Sequence, residues 1–114
     1  MIILNRGKIA EEFTVRYLQN HGYHIIDQNW RTKLCEIDIV ARKKNTVYFV
    51  EVKYRSTNDQ GDGLEYVTSK KLRQIIFASE MWASQNDWDG DMQILAVSVS
   101  GKNFQRISMV EIEN

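Results

Sequence analysis

The stretch Cys35–Arg55, CEIDIVARKKNTVYFVEVKYR, decides the fold. Two runs of strand-forming residues flank a short polar turn, Arg42-Lys43-Lys44-Asn45. Ile37, Ile39 and Val40 stand in the first run; Tyr48, Phe49, Val50, Val52 and Tyr54 stand in the second. All of these favour extended backbone. Side chains two apart on a strand project from one face, so Glu36 and Asp38 share a face, as do Glu51 and Lys53. Phe49-Val50 ahead of Glu51 breaks simple alternation, which predicts a central strand covered on both faces. Charged groups on such a strand must be paired, bound to metal or open to a cleft. Three carboxylates with one lysine neutralise one another poorly. They suit a divalent cation held beside a phosphate.

The length of 114 residues predicts one domain spanning 1–114, able to bury somewhat over ~60% of its unfolded surface. A composition of 43% hydrophobic and 26% charged residues is that of an ordinary soluble globular protein. Fifteen Lys/Arg against fifteen Asp/Glu leaves no net charge and no global basic signature. The charge is uneven along the chain. Residues 1–57 hold ten basic and six acidic side chains (+4), and residues 58–114 hold five and nine (−4), so a basic face on the first half can still meet nucleic acid. The single Cys35 excludes an internal disulfide and points to a reducing compartment. Met1-Ile2-Ile3-Leu4 is too short for a signal sequence, and no apolar run approaches a membrane span. A cytoplasmic protein without membrane association is expected.

Around the central stretch, residues 6–21 are predicted as a helix with Ala10, Phe13, Tyr17, Val15 and Leu18 on its apolar face and Gly22 as its stop. Helical phase aims Glu11 at the body of the protein and leaves Glu12 to pair with Arg16 in solvent. Residues 23–30 are predicted as the first strand, forming an antiparallel hairpin with 35–41. Residues 46–55 complete a meander. The polar stretch 56–63 is predicted as a mobile loop. A second helix over 69–86, capped by Thr68 or Ser69, buries Leu72, Ile75, Ile76, Ser79, Trp82 and Ala83. Lys70, Lys71 and Arg73 crowd its start, against the helix dipole, which hints at an anionic partner. Strands over 92–100 and 104–110 follow, giving an α/β fold with a mixed sheet.

Asp38, with Glu51-Val52-Lys53 one strand later, makes a D…ExK arrangement on neighbouring strands. Together with Gly7-Lys8-Ile9-Ala10-Glu11, Tyr17-Leu18, Gly22-Tyr23, Asn29-Trp30-Arg31, Glu36-Ile37-Asp38, Phe49 to Arg55, Val67 and Lys71, it resembles the UPF0102 family. That family is similar to the PD-(D/E)xK restriction-endonuclease-like superfamily, with archaeal Holliday junction resolvases among the closer relatives. The resemblance implies a restriction-endonuclease-like αβββαβ core with a five-stranded mixed sheet, its acids and lysine lining one cleft. The family usually carries Gly where Ala10 and Cys35 stand, and a side chain at Cys35 restricts the backbone entering the strand.

The implied chemistry is phosphodiester hydrolysis in DNA with Mg²⁺ or Mn²⁺, branched or single-stranded DNA being the expected partner. Asp38 and Glu51 are the expected metal ligands, with Glu11 completing the metal site or holding a second ion. Lys53 is expected to orient or deprotonate the attacking water, and Glu36 to support the site or pair with a basic side chain. Arg55, Lys70, Lys71, Arg42 and Lys43 are the candidate nucleic-acid contacts. Small resolvase-like enzymes often work as dimers, which makes a homodimer the expected assembly. The alternative is a nucleic-acid-binding or assembly module on the same fold without catalysis. A purely structural protein partner is the third reading. For the remaining polar candidates the plain readings lead. His21 caps a helix, His24 lies at a strand edge, Cys35 is a small hydrophobe, and Trp82 and Trp88 serve packing.

Overall fold

The computed structural model describes residues 5–56 and 67–113, so most of the predicted 56–63 loop lies outside the described residues. The elements run α1 (Arg6–Asn20), β1 (His24–Arg31), β2 (Glu36–Lys43), β3 (Thr46–Arg55), α2 (Ser69–Gln85), β4 (Asp91–Ser100) and β5 (Arg106–Ile112). The five strands form one sheet in the order β1-β2-β3-β4-β5, antiparallel throughout except for the parallel β3–β4 pair bridged by α2. This is a mixed five-stranded α/β fold, consistent with a restriction-endonuclease-like core. No helix among the described residues is long and apolar enough to cross a membrane.

Local chemistry explains the boundaries. The Asn5 side chain accepts the Lys8 N–H at the start of α1, and Thr68 accepts the Lys71 N–H at the start of α2. α1 ends in a Schellman motif: Gly22, at φ +90°, donates to Gln19 O, and Tyr23 donates to Leu18 O. His21 caps the same helix end through Nδ1 and Tyr17 O, 2.7 Å apart, as expected. α2 repeats the motif with Asp87 in the left-handed position at φ 51°. The turn between β2 and β3 is tighter than predicted. β2 runs through Lys43, and Lys44, at φ 55°, makes the reversal with Asn45.

One hydrophobic cluster lies on each face of the sheet. Ala10 and Leu18 of α1 pack with Ile39, Ala41, Val50, Leu95, Val97 and Val99. Ala78 and Trp82 of α2 pack with Ile37, Val40, Val47 and Phe49 on the other face. β4 is buried continuously from Ile94 to Ser100, as a parallel-paired strand between two layers must be. The α1 stripe is rotated from the predicted one. Its buried residues are Ala10, Thr14 and Leu18, while Phe13 is exposed and stacks on Phe104 with centroids 5.3 Å apart. Thr14 tolerates burial because its hydroxyl donates to Ala10 O at 2.8 Å. In α2 the fully buried set is Ile75, Ala78, Ser79 and Trp82, so Ala78 replaces the predicted Leu72, Ile76 and Ala83.

Candidate active site

The site begins where the β2–β3 ladder ends. Regular pairing runs from Lys43↔Thr46 to Ile39↔Val50. One step further the Asp38 carboxylate, through Oδ2, accepts the Val52 backbone N–H at 2.8 Å. A side chain thus does there what a backbone carbonyl does elsewhere in the sheet. Ile37 and Val40 both pack in the α2-side cluster, a spacing of three that strict alternation does not give. The strands part at Asp38, and its carboxylate sits in the gap.

Two further acids approach that gap from opposite sides. Glu11, half-buried on α1, lines a small cavity of about 50 Å³ with Lys8, Asn29 and Asp38. Glu51 leaves β3 on the α2 side, where its Oε1 lies 3.0 Å from Lys71 Nζ. The Glu51 side chain is only 15% exposed, so this ion pair is shielded rather than superficial. Strand alternation keeps Lys53, which is exposed, on the Glu51 face. The predicted quartet Glu11, Asp38, Glu51 and Lys53 therefore converges on one end of the sheet.

Electrostatics mark the same place. Burial raises the pKa of Asp38, and the Val52 N–H and the Lys71 charge offset part of the rise. Burial also raises Glu51, with the Asp38 charge adding to it and Lys71 opposing. Glu11 is raised by burial and then by Asp38, against Lys8 and Asn29. For Lys71 burial pulls the pKa down, but the hydrogen bond and charge of Glu51, with Asp38 and Glu36 behind it, win and raise it. Three acids thus hold protons more tightly than in water, with Lys71 opposing the rise at Asp38 and Glu51 and Lys8 opposing it at Glu11.

The donor set suits a hard divalent cation, being carboxylate oxygen throughout. Asp38 Oδ1 accepts no hydrogen bond among the described residues, so one ligand atom is available beside the anchored Oδ2. Among the described residues no three His, Cys, Asp or Glu side chains stand close enough to form a ready-made metal cage. The residues fit a site of two carboxylates completed by water and phosphate, the usual form for Mg²⁺.

Asn29 was not singled out as a site residue by sequence reasoning. It interrupts the edge strand β1 in the left-handed conformation, φ 51°, just beyond the register shift between Ile25 and Asp27. With its amide turned to satisfy both neighbours, it donates to Glu11 Oε1 and accepts from Lys8 Nζ, each at 3.0 Å. A signal was present: Asn is a poor strand residue and the commonest non-glycine at positive φ. The sequence marks Lys71 as a candidate nucleic-acid contact and as part of the family resemblance, with no ion pair to an acid expected. The structure joins it to Glu51.

The other basic candidates divide. Arg42 and Lys43 lie at the far end of β2, four and five residues or about 13–17 Å from Asp38 along the strand. There Arg42 stacks over Trp88 at 4.7 Å and Lys43 over Tyr23 at 4.9 Å. Arg55 is half-buried at the end of β3 opposite Ser100. Lys70 is exposed and lines a cleft with Lys71. Glu36 pairs loosely with Arg31 at 3.7 Å, both largely exposed. Cys35 is half-buried, contacts Met81 and keeps an ordinary negative φ, so the residue strains nothing. Trp82 is buried and donates to Asp27, and Trp88 packs beneath Arg42, which makes both tryptophans structural.

A mixed five-stranded α/β sheet flanked by two helices, opening at an aspartate with two further carboxylates near the opening, is a class of domain consistent with a restriction-endonuclease-like core. The chain matches the model of the uncharacterised protein family UPF0102 over residues 10–112. It is 36% identical to a UPF0102 protein of Vibrio parahaemolyticus, over 89% of this chain and 87% of the relative. It is 38% identical to one of Sulfurihydrogenibium, covering 87% of each, and 37% identical to one of Chlorobium chlorochromatii, covering 95% and 85%. The chain belongs to the UPF0102 family.

Proposed function

We propose that this protein is a metal-dependent DNA endonuclease. The observation that carries the reading is Asp38, which occupies the break in the β2–β3 ladder with its charge felt by both Glu11 and Glu51. Half-buried acids that their neighbouring lysines offset only in part cost stability, and proteins keep such costs at sites of function. Asp38 and Glu51 would hold Mg²⁺ or Mn²⁺, with Glu11 as the third acid. When bound, the ion would supply Lewis-acid polarisation of the phosphate and a water of lowered pKa. Lys53, on the Glu51 face, orients the attacking water or holds the scissile phosphate through Nζ. Lys71 holds Glu51 in place in the metal-free protein and is available to a phosphate oxygen when Glu51 turns to a cation.

The test is cleavage of labelled duplex, branched and single-stranded DNA with Mn²⁺. Activity should vanish with chelator and in Asp38→Asn and Glu51→Gln. It should fall by roughly 10²–10⁴ in Lys53→Ala, where metal binding persists. A folded protein that cuts none of these substrates defeats the proposal. The second reading, a nucleic-acid-binding module without catalysis, draws on the Lys71–Glu51 pair, which gives Glu51 a cation of its own. DNA binding unchanged by chelator and by Asp38→Ala, without cleavage, would favour it.

A further inference from the structure

A groove of about 640 Å³ lies between the β1–β2 turn and the first half of α2. Arg31, Lys33, Lys70, Lys71 and Arg73 line it, against Glu36 as the one acid among the described residues that line it. Arg31 faces Glu36 and Lys71 faces Glu51, whereas Lys33, Lys70 and Arg73 form no ion pair among the described residues. Two of these free cations stand near the start of α2, whose first turn has no acid to complement the helix dipole. An anion in the groove would relieve both features.

The groove is not only basic. Leu34 on one wall is 74% exposed and Phe77 on the other is 46% exposed. Lys70, Arg73 and Phe77 follow at spacings of three and four, so they form one stripe along α2. Cations beside exposed apolar faces match a ligand that alternates phosphate with flat, apolar rings. Duplex DNA hides its base faces in the stack, while a single strand offers them.

We propose that this groove binds single-stranded DNA, with phosphates on Arg31, Lys33, Lys70 and Arg73 and bases stacked on Phe77 and Leu34. Lys71 belongs both to the groove and to the Glu51 ion pair, so a strand lying there passes beside Glu51. The inference rests on the nuclease reading for its meaning and specifies the substrate form: an unpaired strand at or next to the cut.

Fluorescence anisotropy in EDTA, with a labelled oligothymidylate and a duplex of equal length, separates the two ideas because no cleavage is needed. The single strand should bind at least about tenfold tighter than the duplex. Phe77→Ala should weaken it roughly 5- to 100-fold, from the loss of one stacking platform, while Phe77→Tyr, which keeps the ring, should not. Lys70→Ala and Arg73→Ala should each lower the salt slope by about 0.7. Arg16→Ala, exposed on α1 across the sheet from α2, should change nothing. Duplex binding as tight as single-strand binding, or Phe77→Ala within about twofold of the native protein, overturns the proposal. A protein that binds single strands and cuts nothing sinks the nuclease and leaves the groove. One that cuts duplex DNA and ignores single strands does the reverse.

Discussion

The carboxylate of Asp38 takes the backbone N–H of Val52 at 2.8 Å, at the point where β2 and β3 stop pairing. The same side chain is therefore a structural acceptor and the centre of an acidic cluster. These two roles can be separated. Asp38→Asn keeps an acceptor oxygen and removes the charge, so it should stabilise the metal-free protein at neutral pH by about 0.5–2 kcal/mol. Asp38→Ala leaves the Val52 N–H without its partner and should cost about 1–3 kcal/mol. Urea denaturation of the three proteins checks the order Asn, native, Ala.

The raised acids give a signed pH dependence. A carboxyl whose folded-state pKa exceeds its unfolded value contributes stability that is complete below the ordinary carboxylate range and lost as pH rises through the folded value. Glu11, Asp38 and Glu51 all fall in this class. The metal-free protein should therefore lose melting temperature as pH climbs from the ordinary glutamate value of 4.5 towards neutrality. Lys71→Met removes the cation that opposes the rise, so its loss over the same window should be steeper. Lys71 itself, raised from 10.5, contributes stability that disappears only above that pH, and Lys71→Met should lack this alkaline limb. Parallel melting curves for the two proteins across both windows would contradict the assigned pair.

Asn29 tests whether Glu11 is positioned or merely nearby. Asn29→Gly accepts φ 51° freely and removes the amide that holds Glu11, while Asn29→Ala removes the amide and adds left-handed strain of about 1–2 kcal/mol. The glycine variant should melt close to the native protein, and the alanine variant lower. Both should weaken Mn²⁺ binding to a similar extent, because both release Glu11. Unchanged binding in the glycine variant would show that Glu11 needs no positioning from Asn29.

Much of this was legible in the sequence because it depends on period and punctuation. Aromatic and β-branched residues located β3, the Asn20-His21-Gly22 stop gave the end of α1, and the order of elements gave the mixed sheet. The convergence of Glu11, Asp38, Glu51 and Lys53 was also legible, since neighbouring strands and a helix phase suffice to predict it. What escaped depends on exact backbone paths. The bulge in β1 and the left-handed Asn29 leave no periodic trace, and the rotation of α1 that buries Thr14 turns on one hydroxyl hydrogen bond. Lys71 and Glu51 are twenty residues apart, so only the packing of α2 on the sheet reveals their pairing.

The end of α2 offers a stability test remote from the site. Asp87 occupies the left-handed position of a Schellman motif, for which glycine carries no steric cost. Asp87→Gly should stabilise the fold by about 0.5–1 kcal/mol without altering metal or DNA binding. A thermal melt of that single variant decides it.

The most direct test of the central claim is Mn²⁺ calorimetry on the native protein, Asp38→Asn and Glu51→Gln, with and without uncleavable DNA. The account predicts saturable binding to the native protein, strengthened by DNA. Each folded variant should bind at least about tenfold more weakly, since losing a ligand costs more than losing the partner of a ligand. A native protein that takes up no Mn²⁺ even with DNA present, or variants that bind as the native protein does, would contradict it.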